Sequence, residues 1–158
     1  MRTAIFTILL STFFTCFGMA QASEHEDHHH HGPEIGLSNS LVYLINEKEF
    51  AYGLHVHFIH PISHTNFGVG LGYEKIFDEH GHDTFVLDFS YRPIHPLNLI
   101  LSPGLAFEDN FSEMAFALHL ETSYEFEIKR FHIGPALEFA VQPGDMHFSL
   151  GLHFGYEF

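Results

Sequence analysis

The chain has 158 residues, with 20 Asp and Glu against 6 Lys and Arg, 16 histidines and a formal charge of −14. That balance excludes a nucleic-acid partner, because phosphate recognition needs a basic surface. Its single cysteine, Cys16, lies in an N-terminal apolar segment, so disulfide and thiolate chemistry are excluded from the remainder.

Met1-Arg2-Thr3 is a short positive region, Ala4 to Phe17 an apolar run, and Ala20-Gln21-Ala22 a small-x-small cleavage site. Residues 1–22 therefore read as a secretory signal peptide, too short in its apolar part for a spanning helix. Residues 23–33, Ser-Glu-His-Glu-Asp-His-His-His-His-Gly-Pro, hold too little apolar surface to fold and read as a flexible His/acid-rich leader.

From residue 34 onward the period is two, which means β-strand. The first run, 34–46, puts Ile35, Leu37, Leu41, Tyr43 and Ile45 on one face, with Asn39 as an outlier in that row. The second, 49–60, sets Phe50, Tyr52, Leu54, Val56 and Phe58 against Ala51, Gly53, His55 and His57. The third, 66–77, sets Phe67, Val69, Leu71, Tyr73 and Phe77 against Gly68, Gly70, Gly72 and Glu74. The fourth, 84–92, sets Phe85, Leu87, Phe89 and Tyr91 against Val86, Asp88, Ser90 and Arg92.

The fifth, 97–108, sets Leu97, Leu99, Leu101, Leu105 and Phe107 against Asn98, Ser102, Gly104 and Glu108. The sixth, 113–127, sets Met114, Phe116, Leu118, Leu120, Tyr124 and Phe126 against His119, Glu121, Ser123 and Glu125. The seventh, 130–142, sets Phe131, Ile133, Leu137, Phe139 and Val141 against His132, Gly134, Ala136 and Glu138. The last, 146–158, alternates without a slip: Met146, Phe148, Leu150, Leu152, Phe154, Tyr156 and Phe158 against His147, Ser149, Gly151, His153, Gly155 and Glu157.

Pro103 and Pro135 fall inside strands, where each removes a ladder donor. Parity is kept on both sides of each, so a one-residue bulge is not indicated.

Each run reaches the roughly 9–11 residues that a tilted transmembrane strand needs. Large apolar groups on one face, with Gly, Ser, His and acids on the other, describe a narrow membrane barrel. The links are short, which implies an up-and-down meander. The expected fold is all-β: an eight-stranded antiparallel up-and-down transmembrane β-barrel over residues 34–158, with short loops at both ends.

With its alternating strands, the Gly-rich Phe67-Gly-Val-Gly-Leu-Gly-Tyr73 segment and the aromatic ending at Phe158, this region resembles the small eight-stranded outer-membrane β-barrel proteins, the OmpA-transmembrane-domain and OmpX-like group. The resemblance implies export to a bacterial outer membrane, lipid as the partner and a periplasmic N-terminus. It names no protein partner, and the very short loops argue against adhesion through long hairpins.

The leader groups His25, His28, His29, His30 and His31 with Glu24, Glu26 and Asp27. Neutral imidazoles suit Zn²⁺, Cu²⁺ and Ni²⁺, and a solvated tether is the competing reading. His80 and His82 form a weaker candidate in the link 78–83, against a polar turn built on Gly81. The inward faces place His55, His57, Glu74, Asp88, Arg92, Glu108, His119, Glu121, Glu125, His132, Glu138, His147 and His153 in the lumen as a polar network.

Hairpin registers pair His119 with Glu138, Glu125 with His132, His55 with Ser40 and His57 with Ser38. Mutual neutralisation is the structural reading of this set, and a metal or proton pathway uses the same residues. No nucleophile motif is present, and no cofactor is required. The leading function is a non-enzymatic outer-membrane barrel, a structural or envelope-interaction protein with a metal-binding leader. Two alternatives stay open: a narrow channel or transport accessory for a divalent cation or small solute, and a soluble periplasmic ligand-binding barrel.

Overall fold

The computed structural model describes residues 32–79, 81–108 and 113–158. The candidate ligands His25, His28, His29, His30, His31 and His80 lie outside them, as does the signal segment. Nine strand segments follow in chain order: β1 (Glu34–Leu44), β2 (Glu49–Pro61), β3 (Phe67–Phe77), β4 (His82–Ile94), β5 (Leu97–Glu108), β6 (Glu113–Tyr124), β7 (Phe126–Ile128), β8 (Phe131–Gln142) and β9 (Asp145–Glu157). β6 and β7 are two parts of one stave, since both pair with β8 in one unshifted register. Successive staves pair antiparallel and β1 pairs with both β2 and β9. The sheet therefore closes into an eight-stranded antiparallel barrel.

One end, the terminal end, gathers Glu34, Phe158 and the links 62–66, 95–96 and 129–130. The distal end carries the links 45–48 and 143–144 and the one after Phe77.

The two parities have opposite solvent exposure. Outward Leu41, Leu71 and Leu150 are 58–63% exposed, while inward Glu34, Asp88 and His153 are at 1% or less. A soluble barrel of this size would do the reverse, so the structure turns the apolar face outward and the face of Gly, Ser, His and acids inward, as a membrane barrel requires. The outward face is zoned as well. Leu37, Leu41, Leu71, Leu87, Leu150 and Leu152 form an aliphatic middle. Aromatic pairs sit at both ends: Phe67–Tyr91, Phe131–Tyr156 and Tyr156–Phe158 at the terminal end, Tyr43–Phe50, Tyr73–Phe85 and Phe139–Phe148 at the distal end. Aromatic girdles around an apolar band match the two interfaces of a bilayer. At the distal rim Lys75 Nζ pairs with Asp83 Oδ1 at 2.8 Å, and Tyr73 donates to the same carboxylate.

The positions that strain the alternation have physical accounts. Asn39 faces outward and its Nδ2 donates to the Leu152 carbonyl at 3.4 Å, within the neighbouring strand. Pro103 leaves the β4–β5 ladder without rungs at Leu87 and Asp88, while the register on either side is identical. Pro135 does the same opposite Tyr124, and this gap is what divides β6 from β7. A missing donor thus costs rungs and leaves the register intact. A real register shift occurs between Tyr91 and Ile94, where β4 bends into the two-residue link before β5.

Three expectations need correction. β6 and β8 pair two residues away from the expected register, so His119 stands across from Ala140 and Glu138 across from Glu121. β1 and β2 are displaced likewise: His55 faces Ser38, and His57 faces Gly36. A two-residue slip keeps every side chain on its own face, which is why parity could not detect it. Finally, His82 is not a link residue. It opens β4 on the inward parity and is buried.

Replacing Leu150 by Arg should lower the unfolding free energy by about 2–4 kcal/mol, the cost of a cation on the lipid face near mid-height. Ser149→Ala, on the opposite face, should change it little. Gly151→Ser should also destabilise, because its Cβ would press on the Asn39 carbonyl. Urea unfolding of the refolded protein in lipid vesicles, followed by circular dichroism, measures all three.

Candidate functional site

The lumen is a column of imidazoles and carboxylates in three tiers. At the terminal end Glu34 is the hub. Its Oε1 lies 3.1 Å from His132 Nε2 and 3.4 Å from both His57 Nε2 and His153 Nε2. Its Oε2 accepts from Arg92 Nη2 at 2.6 Å. The same guanidinium reaches Glu125 Oε2 at 3.4 Å, and Glu125 Oε1 accepts from Asn98 Nδ2 and Ser123 Oγ at 3.0 and 2.8 Å. His132 and His153 bring their Nε2 atoms within 3.1 Å, although the ring centroids are 5.2 Å apart. The rings therefore point tip to tip and do not lie face on. Ser38 Oγ holds the other nitrogen of His153 at 3.0 Å.

The middle tier joins His57 to His55. Asp88 Oδ1 accepts from Ser102 Oγ at 2.6 Å, and His55 Nδ1 lies 3.4 Å from Glu121 Oε2. Four buried atoms here have no hydrogen-bond partner: His55 Nε2, His57 Nδ1, Asp88 Oδ2 and Glu121 Oε1. Towards the distal end comes a quartet of Glu74, His119, Glu138 and His147, each contributed by a different stave and each buried. Beyond it His82 Nδ1 lies 2.9 Å from Asp78 Oδ2 and its Nε2 lies 3.1 Å from Glu108 Oε1, which also accepts from Gln142 Nε2 at 2.6 Å. Val42, Leu44, Ala51 and Ile76 form an apolar cluster inside the same end.

Small residues make this crowding feasible. A Cβ on Gly155 would strike the His132 ring, and one on Gly36 would strike His57 and His153. Gly72 leaves room in the same way for His55 and Asp88. Glycine on the inward face is thus the space that imidazole and carboxylate occupy on the neighbouring staves.

Of the residues picked out in the sequence, His57, His132, His153, Arg92 and Glu125 fall in the terminal tier. His55, Asp88 and Glu121 fall in the middle tier, Glu74, His119, Glu138 and His147 in the quartet, and Glu108 at the rim. The expected His119–Glu138 proximity is present at 3.6 Å despite the altered register. Glu125, His132 and His153 form one close group. The serine partners of the β1–β2 hairpin are replaced: His57 meets Glu34, and His55 meets Glu121.

Sequence reasoning missed Glu34, the most connected acid of the lumen, and Asp145, whose Oδ2 lies 3.8 Å from His147 Nδ1. Parity was the available signal for Glu34, since it shares the inward face with Ser38 and Val42.

No protein-family model matches the chain, and no curated protein sequence does either. Solved structures do resemble it. Neisserial surface protein A aligns over 80% of this chain and 96% of its own at 9% identity, with a TM-score of 0.61. The N-terminal β-barrel domain of Pseudomonas aeruginosa OprF aligns over 81% and 99% at 14% identity, with a TM-score of 0.53. A de novo designed transmembrane β-barrel aligns over 79% and 95% at 10% identity, with a TM-score of 0.56. At these identities the likeness is one of fold: a small eight-stranded barrel built as outer-membrane barrels are.

Glu34→Gln should destabilise the barrel by about 3–5 kcal/mol, because it removes the charge against which Arg92 and three imidazoles are arranged. Glu127→Gln, at the barrel mouth, should cost far less. Denaturant midpoints of the two variants, each against the parent, test this.

Proposed function

We propose that the chain is a bacterial outer-membrane β-barrel with a structural or envelope-interaction role and no catalytic one. The observation that carries this reading is the closed ladder wrapped in an apolar, aromatic-edged outer face. Such a surface is stable only in lipid, and a closed ladder presents no free strand edge there. The signal-peptide pattern of residues 1–22 and the likeness in fold to outer-membrane barrels agree with it.

The lumen argues against catalysis. Ser38, His153 and Glu34 stand in the order of a nucleophilic triad, yet Ser38 is buried on the inward face, at 6% exposure. A carbonyl substrate has no approach to it. The described links are too short to form a lid or a recognition loop.

The His-rich leader adds a metal-binding function in this reading. His25, His28, His29, His30 and His31, with their acids, would hold Zn²⁺, Cu²⁺ or Ni²⁺ loosely, because gathering successive side chains around one ion costs conformational entropy. A second reading, passage of a cation through the lumen, is favoured by one observation: partnerless buried atoms recur along the column. Side chains fill the bore, so any transfer would proceed from site to site and not by free diffusion.

The protein should fractionate with the outer membrane and change its electrophoretic mobility on boiling. Recovery in the detergent-free soluble fraction would overturn the assignment. Replacing the five leader histidines by Asn should reduce the Zn²⁺ bound at pH 7. That leader contribution should vanish in the parent as pH falls through about 6.5, where imidazole protonates. Equilibrium dialysis of both proteins measures the difference.

A further inference from the structure

We infer that Glu74, His119, Glu138 and His147 form a binding site for one first-row divalent cation of the Zn²⁺ class inside the distal half of the barrel. His119 Nδ1 lies 3.3 Å from Glu74 Oε2 and 3.6 Å from Glu138 Oε1. His147 Nε2 lies 4.0 and 3.7 Å from the same two oxygens. Two imidazole nitrogens thus face two carboxylate oxygens around a common point, with all four atoms within 4.8 Å of one another.

These separations exceed the roughly 2.7–3.2 Å of a normal N–H···O bond. Glu74 Oε2, Glu138 Oε1 and His147 Nε2 in fact have no hydrogen-bond partner, although each belongs to a residue at least 95% buried. Three orphaned polar atoms converging on one point would be a heavy desolvation cost unless something sits between them. Donors held about 2.0–2.2 Å from a tetrahedral ion lie about 3.3–3.6 Å apart. The four nitrogen–oxygen separations, 3.3–4.0 Å, need to contract by no more than a few tenths of an ångström to reach that shell.

Charge and chemistry agree. Two carboxylates balance a dication while both imidazoles stay neutral, and two nitrogens with two oxygens suit a borderline cation better than Ca²⁺ or Cu⁺. Asp145 Oδ2 stands 3.8 Å from the far nitrogen of His147, beyond hydrogen-bond reach but on the side from which an outer carboxylate approaches a metal-bound histidine. The terminal tier is different. There Glu34 and Glu125 already accept bonds of 2.6–3.0 Å, and the Arg92 guanidinium supplies the cation. None of the ion pairs among the described residues brings Lys or Arg to the quartet. The site is independent of the envelope role: a soluble outcome in fractionation would leave it standing, and loss of the site would leave the membrane assignment standing.

The test uses the full chain with His25, His28, His29, His30 and His31 replaced by Asn, titrated with Co²⁺ in detergent and read by visible absorption and by dialysis. The expected result is saturable uptake of about one Co²⁺ per barrel, displaced by Zn²⁺, with a higher denaturant midpoint in the metal-bound form. Glu138→Gln and His147→Asn in that background should each weaken binding at least tenfold, while Ser149→Ala should leave it unchanged. Glu138→Gln preserves shape, and unboiled electrophoretic mobility confirms that each variant is folded. No saturable binding by the leader-substituted chain would overturn the inference. So would equal affinity in Glu138→Gln, or loss of binding on His153→Asn alone, which would move the ion to the terminal tier.

Discussion

Charges enclosed in a bore this narrow have to neutralise one another, and the rest of the interior is arranged around that requirement. Removing a carboxylate or an ammonium from water costs several kcal/mol per ion after relaxation, and only close, well-oriented partners return it. Glu34 shows the solution in its most complete form, with one oxygen shared by three imidazoles and the other held by Arg92. Acids outnumber Lys and Arg more than threefold along the chain. Histidine supplies the remaining partners, because it can donate, accept or carry charge as its neighbours demand. Glycine at positions 36, 72 and 155 then follows as a packing consequence, since an imidazole cannot lie against a neighbouring Cβ.

The outside obeys a separate constraint. Every backbone group facing lipid needs a partner, so the ladder must close and can tolerate few gaps. The structure contains two gaps opposite Pro103 and Pro135, and both keep their register. The interior and exterior demands meet at the staves. Period two is the only periodicity that presents lipid-compatible and charge-pairing surfaces at once.

This explains what was legible in the sequence. Parity is local, so the barrel, its strand number and the inward set from His55 to His153 could be read from one strand at a time. Register is not local. The β1–β2 and β6–β8 pairings slipped by two residues from expectation because a slip of two leaves both faces unchanged. Partners across the lumen were less accessible still: Glu74 on β3 meets His147 on β9 only because barrel curvature brings those staves face to face. Glu34 and Asp145 escaped notice because strand ends were read as margins. His82 was assigned to a turn because Gly81 precedes it, although its parity with Thr84 and Val86 already placed it inside.

The gap opposite Pro135 also makes the ring mechanically unequal. β9 is laced without interruption to both β1 and β8, so the first and last staves are among the best-joined neighbours in the sheet. The seam between β8 and the divided β6–β7 stave is sparser, with its break at Tyr124 and Glu125. Gly134 lies so close to the Tyr124 carbonyl there that no side chain could fill the space between them. The β4–β5 seam opposite Pro103 is interrupted in the same way, so the ladder is thinnest at two seams remote from the joint between the chain's first and last staves. The ring's points of give are built into its proline positions, not into its closure.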